Sequence, residues 1–184
     1  MMPMPDETRG PATEARLSPA RHAHPLELGT MAVVVALDQV TKAIVRQLLP
    51  LGDSRSVIPE VLDLTHVHNT GAAFGLLNAV DFPYKSLVMI GIAALALIAI
   101  AVYATQLGFH ERMARLGLAL ILAGAFGNLI DRAVFGFVVD FVDVYWRTTH
   151  FWAFNVADSA ITIGAILVLV DMIGLGRRHA SHSV

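Results

Sequence analysis

Carboxylates lie in or beside apolar segments of this sequence, where a charged group is costly and usually has a functional role. Asp140 and Asp143 stand three apart in an apolar run, and Asp158 comes just after the start of the next apolar segment. Asp140 and Asp158 can meet across a tight connection whose two ends lie at the same depth. On the residues alone, Asp131 and Asp143 remain rivals to Asp140.

Two carboxylates that meet in a low-dielectric pocket can do acid–base chemistry. Both cannot ionise easily there, so one keeps its proton and the other acts as a base. The base takes a proton from water, while the acid polarises an amide carbonyl and later helps to protonate the leaving nitrogen. Such a pair hydrolyses an amide without a covalent intermediate, a metal or a cofactor.

A second group of polar residues lies on the first apolar segment. Asp38, Lys42 and Arg46 are spaced by four, which places them on one face of a helix. Asp38 lies about twelve residues and about 18 Å into that helix, in the outer half of a hydrocarbon core about 30 Å thick. A neutralised Asp38–Lys42 pair that only holds helices together is the alternative to a role in a site.

Further polar residues mark the ends of two later apolar segments. Asn128, Asp131 and Arg132 share one face at the end of the third, and Asn155 opens the fourth. Both ends point to one outer layer. Asn155 also suits an N-cap, with Asp158 as the first-turn acid that complements the helix dipole, so capping alone remains an alternative.

Other catalytic arrangements have little support. His66 and His68 stand two apart without an HExxH motif, which makes a zinc site improbable. The glycine-rich run 69–75 lacks the lysine of a phosphate loop, and indicates close backbone packing or substrate contact. The chain has no cysteine, and nothing in the spacing supports a Ser-Lys dyad with Lys42 or Lys85.

The composition indicates that a membrane protein carries these residues. Of the 184 residues, 55% are hydrophobic and 15% are charged, against about 25% charged in soluble domains. A spanning helix takes about 20 apolar residues, so four spans and their loops use nearly the whole chain. We predict an all-α integral membrane protein, a four-transmembrane-helix bundle in one domain. The net charge of −2 with no long basic run excludes a nucleic-acid partner.

The predicted organisation has a disordered cytoplasmic tail at 1–25, one membrane-embedded domain at 26–175 and a cytoplasmic tail at 176–184. Loose alternation with β-branched residues at 61–68 predicts a small extramembrane β-sheet between helices 1 and 2. The predicted spans are 26–49, 86–109, 113–135 and 155–175.

Positive charges near the span ends predict the orientation. The two tails and the turn between spans two and three carry seven Lys and Arg residues. The other loops carry three, or six when Lys42, Arg46 and Arg132 at the helix ends are counted. The first comparison places both termini in the cytoplasm, and the second favours that only weakly. The polar layer then faces the outer, periplasmic side.

Five ordered motifs resemble those of lipoprotein signal peptidase, the bacterial signal peptidase II. Each motif is weak alone, but five in the same order over about residues 26–175 make chance agreement improbable. The motifs are Asp38-Gln-Val-Thr-Lys42, Asn69-Thr-Gly-Ala-Ala-Phe-Gly75, Gly127-Asn-Leu-Ile-Asp-Arg132, Val138-Val-Asp-Phe141 and Phe154-Asn-Val-Ala-Asp-Ser159.

The resemblance implies an aspartyl endopeptidase of the bacterial inner membrane that removes the signal peptide from diacylglyceryl-modified prolipoproteins, just before the lipidated cysteine. It makes Asp140 and Asp158 the catalytic dyad and decides against the rivals of Asp140. It implies no cofactor, contact with membrane lipids, and inhibition by globomycin-like cyclic peptides. The residues implied to bind substrate or support the site are Asp38, Lys42, Asn69, Gly71, Asn128, Asp131, Arg132 and Asn155.

Two other classes of protein compete with a peptidase. A small transporter would use intramembrane carboxylates as a proton relay, but most charged residues lie in the outer half and no internal repeat is present. A noncatalytic scaffold that sequesters signal peptides would bind them and tolerate loss of either acid.

Overall fold

The computed structural model of this chain describes residues 25–71, 84–108 and 111–180. The predicted disordered tail therefore lies almost entirely outside the described residues. So do residues 72–75 of the glycine-rich run and 181–184 at the carboxyl end.

Four long apolar helices form the bulk of the described structure, and each is long and apolar enough to cross a membrane. The prediction of four membrane-spanning helices is confirmed. The helices are α1 (Pro25–Leu48), α2 (Lys85–Gln106), α3 (Arg112–Phe135) and α4 (Val156–Ala180).

A small antiparallel sheet accompanies the helices, with its strands in sequence order. Its strands are β1 (Ser54–Ile58), β2 (Leu62–Asn69), β3 (Val138–Trp146) and β4 (Thr149–His150). We predicted the sheet between helices 1 and 2, and only β1 and β2 lie there. The other two strands lie between α3 and α4. That part of the prediction was incomplete because β3 forms by pairing with β2, a contact that the local sequence pattern does not contain.

The pairing of β2 with β3 brings two distant segments into register. Val67 lies opposite Asp140 and Asn69 lies opposite Val138, with an irregularity between Leu64 and Val67. A one-residue shift in register would turn every side chain of a strand to the other face of the sheet. The register therefore fixes which β2 side chain faces Asp140.

Helix α3 lies at the centre of the bundle: half of the residues in its apolar stretch are buried, against 6% of those in the apolar stretch of α2. Because α2 presents leucine and isoleucine outward along much of its length, its surface suits contact with lipid. Small residues allow α3 and α4 to approach closely, as in other membrane helix pairs. Ala157 of α4 is fully buried, and its backbone leaves no space for a side chain at Gly124 of α3.

Gly117 of α3 lies where α4 leaves no space for a side chain. A Cβ at this position would lie 2.6 Å from the Gly164 carbonyl oxygen and 2.9 Å from Val168 Cγ2. We expect Gly117→Ala to lower the free energy of unfolding by about 1–3 kcal/mol, because overpacking forces backbone shifts. Thermal denaturation in detergent micelles measures this.

Gly91→Ala is the matched control, since a Cβ at Gly91 in α2 meets nothing within 4 Å. It should leave stability unchanged or raise it through the better helix propensity of alanine. Equal stability of the two variants would contradict the close α3–α4 packing.

Candidate active site

Asp140 and Asp158 enter the same site from different elements. Asp140 is the third residue of β3, and Asp158 lies in the first turn of α4. Asn155, which immediately precedes α4, joins them: its Nδ2 donates to Asp140 Oδ1 at 2.7 Å, and its backbone N–H donates to Asp158 Oδ2 at 3.2 Å. One amide residue therefore holds both carboxylates in place.

The predicted cap at the start of α4 is present in the same residues. Asp158 N–H donates to Asn155 Oδ1 at 3.0 Å, which reciprocates the bond from the Asn155 backbone to Asp158. This is the geometry of a capping box, here with Asn and Asp in place of the usual pair. Capping and a role in the site are therefore compatible and use the same contacts.

Asn69 holds the second oxygen of Asp140. Its Nδ2 donates to Asp140 Oδ2 at 2.9 Å, while its Oδ1 accepts the backbone N–H of Gly71 at 3.0 Å. Arg132 Nη2 in turn donates to the Gly71 carbonyl oxygen at 2.9 Å. The structure thus brings together Asn69, Gly71 and Arg132 beside Asp140.

Asn128 binds Asp158 in the same way as Asn69 binds Asp140. Its Nδ2 donates to Asp158 Oδ1 at 2.9 Å. Its Oδ1 accepts from Lys42 Nζ at 2.9 Å and from Asn155 Nδ2 at 3.2 Å. Asn128 therefore links Asp158 to the buried lysine behind the site.

Lys42 is fully buried and paired with two fully buried carboxylates. Its Nζ lies 2.8 Å from Asp38 Oδ2 and 3.1 Å from Asp131 Oδ2. A buried ammonium is tolerated only when it is paired and its protons are satisfied. Asp38 and Lys42 both lie on α1, and Lys42 joins this pair to α3 through Asp131 and Asn128, directly behind the site.

The two partners of Lys42 also bind backbone N–H groups beside Asp140 and Asp158. Asp38 Oδ1 accepts from Ala157 N at 3.0 Å, and Asp131 Oδ2 accepts from Val139 N at 3.1 Å. Gln39 completes the group, because its Nε2 donates to Asp131 Oδ1 at 3.1 Å. Our sequence prediction missed Gln39, although it stands inside the first motif next to Asp38.

Gly127 shows how closely α3 approaches this group. A Cβ at Gly127 would lie 2.6 Å from Asp38 Oδ2, and the Gly127 carbonyl oxygen accepts from Gln39 Nε2 at 3.2 Å. The third motif therefore begins with glycine because any side chain at this position would collide with Asp38.

The ionisation of Asp140 suits acid–base work near neutral pH. Burial, and then the negative charge of Asp158, raise the pKa of Asp140 to about 7, against hydrogen bonds from Asn69 and Asn155 and the charge of Lys42. Asp140 can therefore gain or lose a proton without a large cost at physiological pH.

The rivals of Asp140 have other partners. Asp131 is bound to Lys42 as described, and Asp143 Oδ2 lies 2.8 Å from His150 Nδ1, further along β3. His66 Nδ1 lies 2.8 Å from the Leu49 carbonyl oxygen, and the His68 ring stacks on Phe137 with centroids 3.6 Å apart. Lys85 Nζ donates to Thr70 Oγ1 at 3.3 Å.

Four helices that can span a membrane, with Asp140 and Asp158 held by one asparagine beside them, define a multi-pass membrane protein. The family model described as Signal peptidase (SPase) II matches residues 30–174 of the chain. The chain belongs to the signal peptidase II family, a family of peptidases.

Curated relatives and solved structures agree with this assignment. The lipoprotein signal peptidase of Geobacter metallireducens is 44% identical over 149 residues, which cover 81% of this chain and 91% of that protein. That of Geobacter sulfurreducens is 46% identical over 146 residues, which cover 79% and 90%. A bacterial membrane enzyme solved by the in meso method matches at a TM-score of 0.72 and 35% identity, covering 81% of this chain and 88% of that one.

Removing the Lys42 charge should destabilise the fold strongly. Lys42→Met leaves Asp38 and Asp131 buried together without their cation, and such a change typically costs about 3–5 kcal/mol. Denaturation in mixed micelles gives the loss. Lys42→Met combined with Asp131→Asn should recover part of it, because one uncompensated charge is removed. Wild-type stability in the single variant would contradict this account.

Proposed function

We propose that this protein is an aspartic endopeptidase that removes the signal peptide from diacylglyceryl-modified prolipoproteins, cutting immediately before the lipidated cysteine. The observation that carries the proposal is the joint hold of Asn155 on two carboxylates from separate elements, Asp140 and Asp158. Membership of the signal peptidase II family supports it. The curated relatives, which are lipoprotein signal peptidases, support the substrate class.

In the proposed mechanism, one carboxylate of the pair is ionised and the other protonated. The ionised carboxylate takes a proton from a water molecule, whose oxygen attacks the scissile carbonyl carbon. The protonated carboxyl donates a hydrogen bond to the carbonyl oxygen, on which negative charge develops. A proton then passes to the amide nitrogen, the C–N bond breaks and both peptides leave. The dyad returns to one shared proton.

The neighbouring amides define the geometry of this pair. Asn69 and Asn155 each donate to one oxygen of Asp140, and Asn128 donates to Asp158. Each of these donors occupies one lone pair of a carboxylate oxygen. The remaining lone pairs of Asp140 and Asp158 then face the water and the substrate. In this proposal Asn69, Asn128 and Asn155 orient the dyad.

Arg132 and Gly71 form the part of the proposed site that meets substrate. The guanidinium holds the Gly71 carbonyl oxygen, which keeps residues 69–71 beside Asp140. We propose that this segment contacts the substrate backbone near the cleaved bond. Asp38, Lys42 and Asp131 then support the site from behind.

The membrane placement follows from charge and aromatic residues. The Lys and Arg distribution favours cytoplasmic termini in the bacterial inner membrane, with the site toward the periplasmic face. Trp146, Phe151 and Trp152 are exposed at the β3–β4 end of the sheet, and rings of this kind suit the lipid headgroup level. A lipid-modified substrate would reach the dyad laterally from the bilayer, and globomycin-like cyclic peptides would compete for the same site.

Loss of either acid should abolish cleavage. Asp140→Asn and Asp158→Asn each remove a group that transfers a proton, so we expect the rate to fall by at least about 10²–10⁴-fold. A gel-shift assay of purified protein with a diacylglyceryl-modified prolipoprotein measures the released signal peptide. Asp143→Asn is the matched control, since Asp143 lies on the same strand and pairs with His150. Normal turnover by either dyad variant would refute the assignment.

The rate of cleavage should fall on the alkaline side of neutral pH. The folded site raises the pKa of Asp140 from 3.8 to about 7, first through burial and then through Asp158. Because this carboxyl binds its proton more tightly when folded, the dyad retains one proton below about pH 7 and loses it above. We expect kcat to fall as the pH rises through about 7. A kcat that stays constant between about pH 6 and 9 would contradict this assignment.

A further inference from the structure

We propose that Gln39 is a positioning residue that fixes the separation of Asp140 and Asp158 by bridging the two carboxylates that anchor their backbones. The inference rests on the proposed function for its kinetic consequence. Its structural part concerns contacts among α1, α3, α4 and β3, and can be tested without catalysis.

Each proposed catalytic aspartate follows a residue whose backbone N–H is held by a buried carboxylate. Val139, before Asp140, donates to Asp131 Oδ2 at 3.1 Å. Ala157, before Asp158, donates to Asp38 Oδ1 at 3.0 Å. The separation of the dyad therefore depends on the separation of Asp131 and Asp38, two side chains that themselves lie on different helices.

Gln39 binds both of these carboxylates with one amide nitrogen. Nε2 lies 3.1 Å from Asp38 Oδ2, 3.1 Å from Asp131 Oδ1 and 3.2 Å from the Gly127 carbonyl oxygen. An amide nitrogen carries two protons, so three acceptors share two donors at this point. Gln39 thus joins α1 to the α3 backbone as well as to the two anchors.

Lys42 alone does not fix the anchors in the same way. Its Nζ contacts Asp38 Oδ2 and Asp131 Oδ2, and an ammonium is a point charge that accepts a range of directions. Only Gln39 holds Asp131 Oδ1 among the described hydrogen bonds. With both oxygens held, the Asp131 carboxylate cannot rotate about its Cβ–Cγ bond, so its bond to Val139 keeps one direction.

Loss of the Gln39 side-chain amide would therefore change the positions of Asp140 and Asp158 more than the binding of substrate. The contacts of Gln39 are made behind the dyad and involve no residue that we place against substrate. Displacement of a catalytic group by about 1 Å can cost about 10²-fold in rate. We expect Gln39→Leu, which keeps the approximate volume and removes the donor, to lower kcat by about tenfold to a hundredfold with KM changed less than about twofold.

Gln47→Leu is the matched control for this change. Gln47 lies on the same helix and is exposed, so the same substitution there leaves the anchors untouched. Wild-type kcat in Gln47→Leu with a reduced kcat in Gln39→Leu supports the proposal. Equal kcat in both variants overturns it.

Gln39→Glu adds a second test, a pH-dependent activity that a folding defect would not produce. A glutamic acid donates a hydrogen bond only when protonated. The charged groups around it are Asp38 and Lys42 on α1 and Asp131 on α3, with Asp158 of α4 and Asp140 of β3 beyond them. We expect the activity of Gln39→Glu relative to wild type to rise as the pH falls. A constant ratio across the pH range overturns the proposal, and this variant serves if Gln39→Leu does not fold.

Hydrogen exchange separates this inference from the proposed function. In Gln39→Leu the Val139 and Ala157 amides should exchange at least about tenfold faster than in wild type, while amides in the middle of α2 keep their rates. Unchanged protection of Val139 and Ala157 overturns the positioning role, whatever the activity. If wild type does not cleave a prolipoprotein, the proposed function fails, and the exchange rates still decide the role of Gln39.

Discussion

The buried ion group around Lys42 is the interaction on which the rest of the structure depends. One ammonium lies between Asp38 and Asp131, all three side chains fully buried, in a region where an unpaired charge would cost several kcal/mol. The same carboxylates bind the backbone beside Asp140 and Asp158. The site therefore depends on assembly of the bundle, since Asp38 needs α4 and Asp131 needs α1 and β3 to complete their sets of partners.

Close helix packing is the second constraint, and it follows from the first. The Lys42 group is small, so the helices that share it must approach closely. Gly127 leaves space for Asp38, and a side chain there would meet that carboxylate at 2.6 Å. Gly117, further along α3, likewise leaves space for the α4 backbone at Gly164. Without a hydrophobic driving force between helices in lipid, this packing and the buried polar contacts supply the stability.

The sheet contributes what the helices do not. Antiparallel pairing places the end of β2 beside the start of β3, so that Asn69 reaches Asp140. Asp140 therefore comes from a strand and Asp158 from a helix N-terminus. A site built from such elements holds its geometry better than one built on loops alone. The high pKa of Asp140 follows from that enclosure, because burial is its largest cause.

The sequence by itself determined the membrane class, the four helices and most of the residues that meet in the site. Apolar length and the cost of charge within lipid are local properties, and they single out Asp38, Lys42 and Asp158 from the printed chain. The motif resemblance was needed to choose Asp140 over Asp131 and Asp143, whose surroundings look alike in sequence. Only the tertiary structure decided that β3 pairs with β2, that Asn155 reaches Asp140 as well as capping α4, and that Gln39 reaches Asp131. Those contacts join residues far apart in the chain, so they arise from pairing and packing energies that no local pattern contains.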